Sequence, residues 1–435
     1  MYRTAMEELY KWKEKLKKKP LIIRGARQVG KTWLMREFGR LAFEKTVYVS
    51  FDNNQRMKQL FLSEMDAKRL VIGLELYCGE KIDPANTLII FDEIQEIPQA
   101  LTSLKYFNET APEYQIICAG SLLGVALHQG TSFPVGKVEF LNLYPLSFSE
   151  FMIAMGNEQY LNLIKNGDFD MMATFKQTFI DLLKYYYFIG GMPEAVLRFT
   201  ENRDFNEIRK IQQHILMAYE QDFSKHAPYE IIPRIRMIWN SIPAQLAKEN
   251  KKFVYGLIKE GARAKEYELA LLWLTDCGLI HKVHRVTAPS VPLQAYEDLK
   301  AFKLFLLDVG LLSCITHLNQ STLLDGNEVF KEFKGALTEQ YILQQLKTIE
   351  GWQTYYWTND RGNAEIDFVT DNGNMIIPIE VKAETNLKAK SLKTYYEKFK
   401  PRLAIRASMA DYKKEDWLLN LPLYAVDYLE YGGIK

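Results

Sequence analysis

Residues 25–32 read GARQVGKT, which is a complete G-x-x-x-x-G-K-T phosphate-binding loop. The apolar run 21–23 (LII) precedes the loop and predicts a buried strand, and the sequence after the second glycine predicts a helix that begins at residue 31. Glycines in this strand–loop–helix context let backbone N–H groups converge on phosphates at the helix N-terminus. The stretch therefore predicts an ATP site formed by Gly25, Ala26, Arg27, Gln28, Val29, Gly30, Lys31, Thr32 and Trp33.

A second stretch, residues 86–97 (NTLIIFDEIQEI), predicts a buried strand that ends in two acids, Asp92 and Glu93. In phosphate-loop enzymes an Asp at this place holds Mg²⁺ together with the Thr of the loop, here Thr32. A Glu that follows the Asp can polarise the attacking water, and Lys31 would reach the β- and γ-phosphates. The two stretches together predict Mg²⁺-dependent ATP hydrolysis, with Lys31 and Glu93 as catalytic residues and Thr32 and Asp92 as metal ligands.

A third element of the same site follows the strand-like run 114–119 (YQIICA), which ends at Gly120 and Ser121. A polar side chain at the end of the strand beside Asp92 would reach the γ-phosphate or the attacking water. We therefore predict Ser121 as a further catalytic residue that senses the γ-phosphate. The alternative is an ordinary turn serine.

The arrangement of elements predicts four domains. Strands and helices alternate from about residue 20 to 146, which indicates a mostly parallel sheet with helices on both faces. Residues 147–230 read as helices around a Gly-Gly-Met-Pro break at 190–193, which fits either a hinge or an ordinary turn. The following helix–turn–helix–strand pattern has the outline of a winged helix. The predicted domains are 1–150 (nucleotide-binding core), 151–230 (helical lid), 231–292 (winged helix) and 293–435.

Composition limits the classes of function. The net charge of the 435 residues is +1, so contacts with nucleic acid would have to come from local basic patches. The four cysteines are scattered, which argues against structural zinc and against a disulfide framework. We find neither a signal-peptide pattern nor an apolar stretch of about 18 residues, so the sequence predicts a cytoplasmic protein without membrane contact.

A second set of chemically reactive residues lies near the C-terminus, in residues 364–382 (AEIDFVTDNGNMIIPIEVK). Two strand-like runs flank a turn centred on Asn-Gly, a typical hairpin signal. Glu380 and Lys382 are two residues apart and so project from one face of a strand, while Asp367 lies on the partner strand. Glu339, in a helical stretch, adds a further carboxylate.

Seven local stretches, taken together, resemble one family. They are 25–32, 91–95 (FDEIQ), 119–124 (AGSLLG), 132–151, 185–196, 292–312 and 379–382 (IEVK). The chain is similar to the AAA-type ATPases of bacteria and archaea that carry a C-terminal nuclease-like domain of the PD-(D/E)xK type, DUF4143. The resemblance implies an α/β multidomain fold: a P-loop AAA-type parallel-sheet core, a helical lid, a winged helix and a C-terminal restriction-endonuclease-like α/β domain.

The same resemblance gives the C-terminal residues roles. Asp367 and Glu380 would hold Mg²⁺, Glu339 would complete the metal shell, and Lys382 would orient the water that attacks a phosphodiester. An E-x-K pair is common by chance, so the alternative is a retained nuclease fold that binds without cutting.

One departure from the family concerns the arginine finger that AAA-type ATPases receive from a neighbouring subunit. In the stretch 132–138 (SFPVGKV) the basic residue is Lys137, which lacks the bidentate fork of an arginine. Two alternatives stay open: Lys137 acts as a weak substitute, or the finger is another residue such as Arg198, Arg234 or Arg263. A finger supplied by a neighbour would require a homo-oligomer.

The sequence therefore predicts an ATPase that acts on DNA, branched or duplex, through its winged helix and nuclease-like domain, with metal-dependent DNA cleavage as a second activity. The alternative is an ATP-dependent regulatory switch that binds a protein partner and carries a catalytically silent nuclease-like fold. A small-molecule kinase is disfavoured because the extra domains would have no task.

Overall fold

The computed structural model describes residues 1–120, 133–248, 252–325, 331–359, 364–384 and 390–431. The chain divides into two compact units. The first comprises Met1–Tyr144 with Asp276–Leu279, and the second comprises Pro145–Thr275 with Ile280–Lys435. Across the described ranges, every helix is too short or too polar to cross a membrane.

The first unit contains a five-stranded parallel sheet in the order β2-β3-β4-β1-β5. Its strands are β1 (Leu21–Arg24), β2 (Lys45–Ser50), β3 (Thr87–Asp92), β4 (Gln115–Ala119) and β5 (Glu139–Asn142). All residues of β3 and β4 are buried, as expected for apolar strands covered on both faces. The predicted P-loop core with a parallel sheet is confirmed.

Five helices accompany this sheet: α1 (Ala5–Glu14), α2 (Lys31–Ala42), α3 (Gln55–Ser63), α4 (Ala67–Cys78) and α5 (Pro98–Thr110). The carboxyl ends of parallel strands meet at one edge of a sheet, where α/β proteins bind their ligands. The loop after β1 and the acids at the end of β3 lie at that edge, separated in the sheet only by β4. The strand order therefore brings the two sequence motifs together.

The second unit begins with a run of helices. They are α6 (Phe148–Ala154), α7 (Glu158–Asn166), α8 (Phe169–Thr174), α9 (Lys176–Ile189), α10 (Pro193–Asn202), α11 (Phe205–His226), α12 (Ile232–Leu246) and α13 (Ala264–Asp276, whose last residue falls in the first unit). Four more follow among the strands: α14 (Val309–Ile315), α15 (Gln320–Asp325), α16 (Lys331–Thr348) and α17 (Lys390–Phe399).

The Gly190–Gly191 pair after α9 is closely packed. A Cβ atom on Gly190 would lie 2.1 Å from Asp308 Oδ1, and one on Gly191 would lie 2.2 Å from the carbonyl oxygen of Leu146. Asp308 is fully buried and accepts hydrogen bonds from the backbone N–H of Gly191 (2.6 Å) and of Leu311 (2.9 Å). Glycine is needed at both positions because Asp308 and the backbone of Leu146 approach too closely for a Cβ atom. This requirement cannot be read from the local sequence.

The second unit also holds a mixed eight-stranded sheet in the order β12-β13-β11-β10-β9-β8-β6-β7. Its strands are β6 (Ile280–Val286), β7 (Glu297–Leu306), β8 (Gln353–Thr358), β9 (Glu365–Asp371), β10 (Ile376–Val381), β11 (Ala404–Ser408), β12 (Lys413–Lys414) and β13 (Leu418–Pro422). The antiparallel pair β9–β10 is the hairpin expected from the Asn-Gly turn. The predicted boundary at residue 292 falls between β6 and β7, which pair with each other.

Candidate functional site

The phosphate-binding loop connects β1 to α2 through backbone conformations that require glycine. Gly25 has φ 154°, and a Cβ atom there would lie 2.2 Å from the carbonyl oxygen of Leu143. Gly30 precedes the first residue of α2 with φ 95°, in the left-handed region that favours glycine. The loop thus leads directly into a helix N-terminus, where backbone N–H groups and the helix dipole favour phosphate.

A buried arginine from the N-terminal segment is hydrogen-bonded to the backbone of the phosphate-binding loop. Arg3 donates hydrogen bonds from its guanidinium to the carbonyl oxygens of Val29 (2.9 Å) and Tyr144 (2.6 Å). Within the loop, Val29 is fully buried, while Trp33 in the first turn of α2 keeps 41% of its surface exposed. Arg3 was not predicted, because nothing in its local sequence separates it from other basic residues of the N-terminus.

Lys31 is the buried cation of the site. Its ammonium donates hydrogen bonds to the carbonyl oxygens of Gly25 (2.9 Å) and Ala26 (2.7 Å). Burial lowers the pKa of Lys31 to about 8, although Glu93 and Asp92 act in the opposite direction. A pKa of about 8 leaves the ammonium mostly charged at neutral pH, and bound phosphates would favour the charged form further.

The two predicted metal ligands lie in direct contact. Thr32 Oγ1 donates a hydrogen bond of 2.7 Å to Asp92 Oδ2, and the Tyr48 hydroxyl donates one of 2.8 Å to the same oxygen. The guanidinium of Arg36 lies over the Tyr48 ring at 3.8 Å from its centroid. A hydroxyl and a carboxylate are oxygen ligands of the kind that Mg²⁺ uses beside nucleotide phosphates, so this donor set fits Mg²⁺.

Glu93 follows Asp92 with φ 53° and ψ 44°, a left-handed conformation that is unfavourable for any residue with a Cβ atom. Its carboxylate accepts a hydrogen bond of 2.6 Å from Gln95 Nε2. Strained backbone of this kind is often found at functional sites, where the surrounding structure enforces it. The conformation turns the chain sharply at the end of β3 and separates Glu93 from the strand that carries Asp92.

Two further residues named from the sequence are Ser121 and Lys137. Ser121 lies outside the described residues. Lys137, the residue at the expected arginine-finger position, forms an ion pair with Glu109 at 2.9 Å.

The four nuclease-like residues come together in the second unit. Glu339 lies on α16, and Asp367 and Glu380 lie on the adjacent strands β9 and β10. Asp367 Oδ2 accepts a hydrogen bond of 2.7 Å from the backbone N–H of Val381, and Lys382 Nζ lies 3.0 Å from Glu380 Oε1. Burial raises the pKa of Glu380, and Lys382 opposes that rise.

A fifth residue, Lys303 on β7, occupies the centre of this cluster. Its ammonium is completely buried and lies 3.7 Å from Glu339 Oε2 and 3.9 Å from Asp367 Oδ1, and it also forms an ion pair with Glu365. Burial alone would lower the pKa of Lys303, but the three carboxylates raise it above its ordinary value. Lys303 is therefore a charged ammonium in the protein interior.

The carboxylate cluster does not fit a divalent cation, because the ammonium of Lys303 already pairs with two of the predicted ligands, Glu339 and Asp367, and with the neighbouring Glu365. Among the residues that the structure describes, no group of three or more His, Cys, Asp or Glu side chains is arranged to hold a metal ion. The signal for Lys303 was present in the sequence: residues 301–307 (AFKLFLL) place one lysine inside an apolar run. A lysine buried in a strand needs nearby carboxylates.

Three family models match the chain. Residues 17–152 match an AAA domain, residues 334–425 match a domain of unknown function (DUF4143), and residues 180–322 match another domain of unknown function (DUF8612). The first two contain the phosphate-binding loop and the carboxylate hairpin. The chain therefore contains an AAA domain and a C-terminal DUF4143 domain. An AAA domain implies ATP hydrolysis.

Solved structures that resemble this AAA–DUF4143 protein do so at low identity. A Walker-type ATPase of Pyrococcus abyssi is 15% identical, with 72% of this chain and 94% of that chain covered and a TM-score of 0.42. The ORC1 protein of Aeropyrum pernix, solved in complex with DNA, is 12% identical, with 72% and 90% covered and a TM-score of 0.28. Cdc6p of Pyrobaculum aerophilum is 11% identical, with 72% and 93% covered and a TM-score of 0.26. Among curated proteins, none matches the sequence significantly.

Proposed function

We propose that this AAA–DUF4143 protein hydrolyses ATP in a Mg²⁺-dependent reaction at the loop of residues 25–32. The observation that carries the proposal is the contact between Thr32 and Asp92 at 2.7 Å. Two oxygen ligands from separate sequence motifs converge beside the buried ammonium of Lys31. Glu93 follows Asp92 directly, which supports its role as the group that activates water.

Each side chain has a distinct task in this proposal. Lys31 binds the β- and γ-phosphates, and Thr32 and Asp92 hold Mg²⁺, which would offset the charge on the phosphate oxygens. Glu93 accepts a proton from the water that attacks the γ-phosphate. Gln95 orients Glu93 through its 2.6 Å hydrogen bond, and the Tyr48 hydroxyl orients Asp92.

The direct experiment measures steady-state ATP hydrolysis by the full chain in Mg²⁺ and in a chelator. We expect turnover only with Mg²⁺, and we expect Lys31→Ala to abolish both ATP binding and turnover. A matched control is Lys81→Ala, which removes an exposed ammonium paired with Glu75 and should leave ATP binding and turnover unchanged. ATP binding by Lys31→Ala at wild-type affinity would refute the assignment of the loop.

We further propose that ATP hydrolysis drives an action on DNA. The protein would contact DNA through a winged helix formed by residues 231–292 and through the C-terminal domain of residues 293–435. Arg263 and Lys265 are exposed at the start of α13 and support phosphate contacts, whereas the neighbouring exposed Glu266 and Glu268 would repel phosphate. The proposal predicts that one form of DNA among single-stranded, duplex, forked and four-way substrates stimulates ATP hydrolysis. Stimulation should fall steeply with salt, because phosphate contacts release counterions.

The second candidate is an ATP-dependent switch that binds a protein partner and has a silent nuclease-like fold. The position of Lys303 inside the carboxylate cluster favours it over metal-dependent cleavage. This candidate predicts that no form of DNA changes the ATPase rate or is cut in the presence of Mg²⁺ or Mn²⁺. Both candidates are compatible with a homo-oligomer in which a neighbouring copy supplies an arginine finger.

A further inference from the structure

The carboxylate cluster of the second unit contains its own cation. We infer that the ammonium of Lys303 takes the place of a divalent metal, so that Glu339, Glu365 and Asp367 form an internal ion cluster and not a metal centre. This inference concerns the second unit only and does not depend on the ATPase proposal.

The distances support this substitution. Lys303 Nζ lies 3.7 Å from Glu339 Oε2 and 3.9 Å from Asp367 Oδ1, and its ion pair with Glu365 is closer than either. The side chain is completely buried, and its ammonium also lies 5.0 Å from the centroid of the Tyr356 ring. A buried charge is stable only when it is paired, and here one ammonium and several carboxylates satisfy that need for each other.

The orientation of the carboxylates points the same way. Asp367 uses Oδ2 to accept a hydrogen bond from the Val381 N–H and presents Oδ1 toward Lys303. Glu380 pairs through Oε1 with Lys382, at 3.0 Å. A divalent cation held by Glu339 and Asp367 would have to lie within about 2.0–2.6 Å of their oxygens, close to the fixed positive charge of Lys303. The ammonium and the metal would therefore exclude each other.

The exclusion of a divalent cation determines which chemistry the cluster can perform. Without a divalent cation to activate water and stabilise the leaving oxygen, the cluster lacks the means to cleave a phosphodiester. The residues that resemble a nuclease site would then stabilise the junction of β7, β9 and α16.

The test measures Mn²⁺ binding by electron paramagnetic resonance, on full chains that also carry Asp92→Asn to remove the proposed ligand in the first unit. The Lys303-containing protein should bind no Mn²⁺ at the cluster. Lys303→Met, which removes the charge of the side chain and keeps most of its length, should gain one Mn²⁺ site at the cluster. The matched control is Lys347→Met, which removes a lysine whose pKa is lowered by burial. Lys347→Met should bind Mn²⁺ no more tightly than the chain that carries Asp92→Asn alone.

Thermal unfolding gives a second readout. In a chelator, Lys303→Met should unfold at a lower temperature than the Lys303-containing protein, and Mn²⁺ should restore much of the loss. The inference is overturned if Lys303→Met folds and gains no affinity for Mn²⁺. If Lys303→Met does not fold, Asp367→Asn in the Lys303-containing protein decides the question. Unchanged Mn²⁺ binding supports the inference, and Mn²⁺ binding that disappears with Asp367→Asn overturns it.

Discussion

Replacing Glu93 by Gly and by Ala distinguishes backbone strain from side-chain chemistry at the proposed catalytic residue. Glu93 has φ 53° and ψ 44°, a left-handed conformation that costs a residue with a Cβ atom roughly 1–2 kcal/mol. Glycine avoids this cost but loses more conformational entropy on folding, which is worth roughly 0.5–1 kcal/mol. Both variants lose the hydrogen bond from Gln95, so that loss cancels in the comparison.

The difference between these terms predicts that Glu93→Gly is more stable than Glu93→Ala by about 1 kcal/mol. At an ordinary position the order is reversed. Glu96, three residues later and exposed in the 3₁₀ helix Ile94–Glu96, provides the matched control. There, Ala should be more stable than Gly by roughly 0.5–1 kcal/mol.

The assay is urea unfolding of the full chain, followed by far-ultraviolet circular dichroism, for the four variants at positions 93 and 96. ATP hydrolysis measured in parallel should be lost in both Glu93 variants and retained in both Glu96 variants. If Glu93→Ala proves as stable as Glu93→Gly or more so, Glu93 is not held in a left-handed conformation and the argument from strain is wrong.

Three further predictions concern polar side chains that form hydrogen bonds. Asp308→Ala leaves three buried donors without their acceptor and should lower the free energy of unfolding by about 3 kcal/mol in urea titrations. The control Asp416→Ala, at an exposed bend, should change it by less than about 0.5 kcal/mol. Equal effects of the two substitutions would contradict the stabilising role of Asp308. Burial raises the pKa of Asp427 from 3.8 to about 6, so its charge in the folded state lowers stability fully above pH 6 and less as the pH falls toward 4. The free energy of unfolding of Asp427→Asn relative to wild type should therefore rise by about 1 kcal/mol from pH 5 to pH 7.5. A difference that does not change with pH would refute this prediction. Tyr48→Phe removes a hydrogen bond to Asp92 and should raise the Mg²⁺ concentration for half-maximal ATP hydrolysis several-fold at unchanged ATP affinity; an unchanged Mg²⁺ dependence would show that Tyr48 does not orient the ligand.

The sequence predicts those parts of the structure that depend on contiguous residues. The loop at 25–32, the acids at the end of β3 and the hairpin of β9 and β10 each follow from a local pattern whose geometry is set by backbone conformation. For the same reason, the parallel sheet could be derived from the alternation of apolar strands and helices.

The missed residues act through contacts between segments that are far apart in the chain. Tyr48 contacts Asp92 from β2. Lys303 contacts Asp367 and Glu339 from β7, an edge strand of the eight-stranded sheet. Such contacts depend on tertiary packing, which one sequence does not encode in any local pattern. The sequence offers only the need for a partner, as the lysine in the apolar run 301–307 illustrates.

The central claim is that the loop of residues 25–32 and the acids of β3 form one site for Mg²⁺-dependent ATP hydrolysis. The measurement that tests it most directly compares ATP binding and steady-state turnover of Glu93→Gln with those of the wild type. We predict that Glu93→Gln binds ATP with unchanged affinity and that its turnover falls at least about a hundredfold, because the amide cannot accept the proton of the attacking water. Turnover at the wild-type rate would contradict the account.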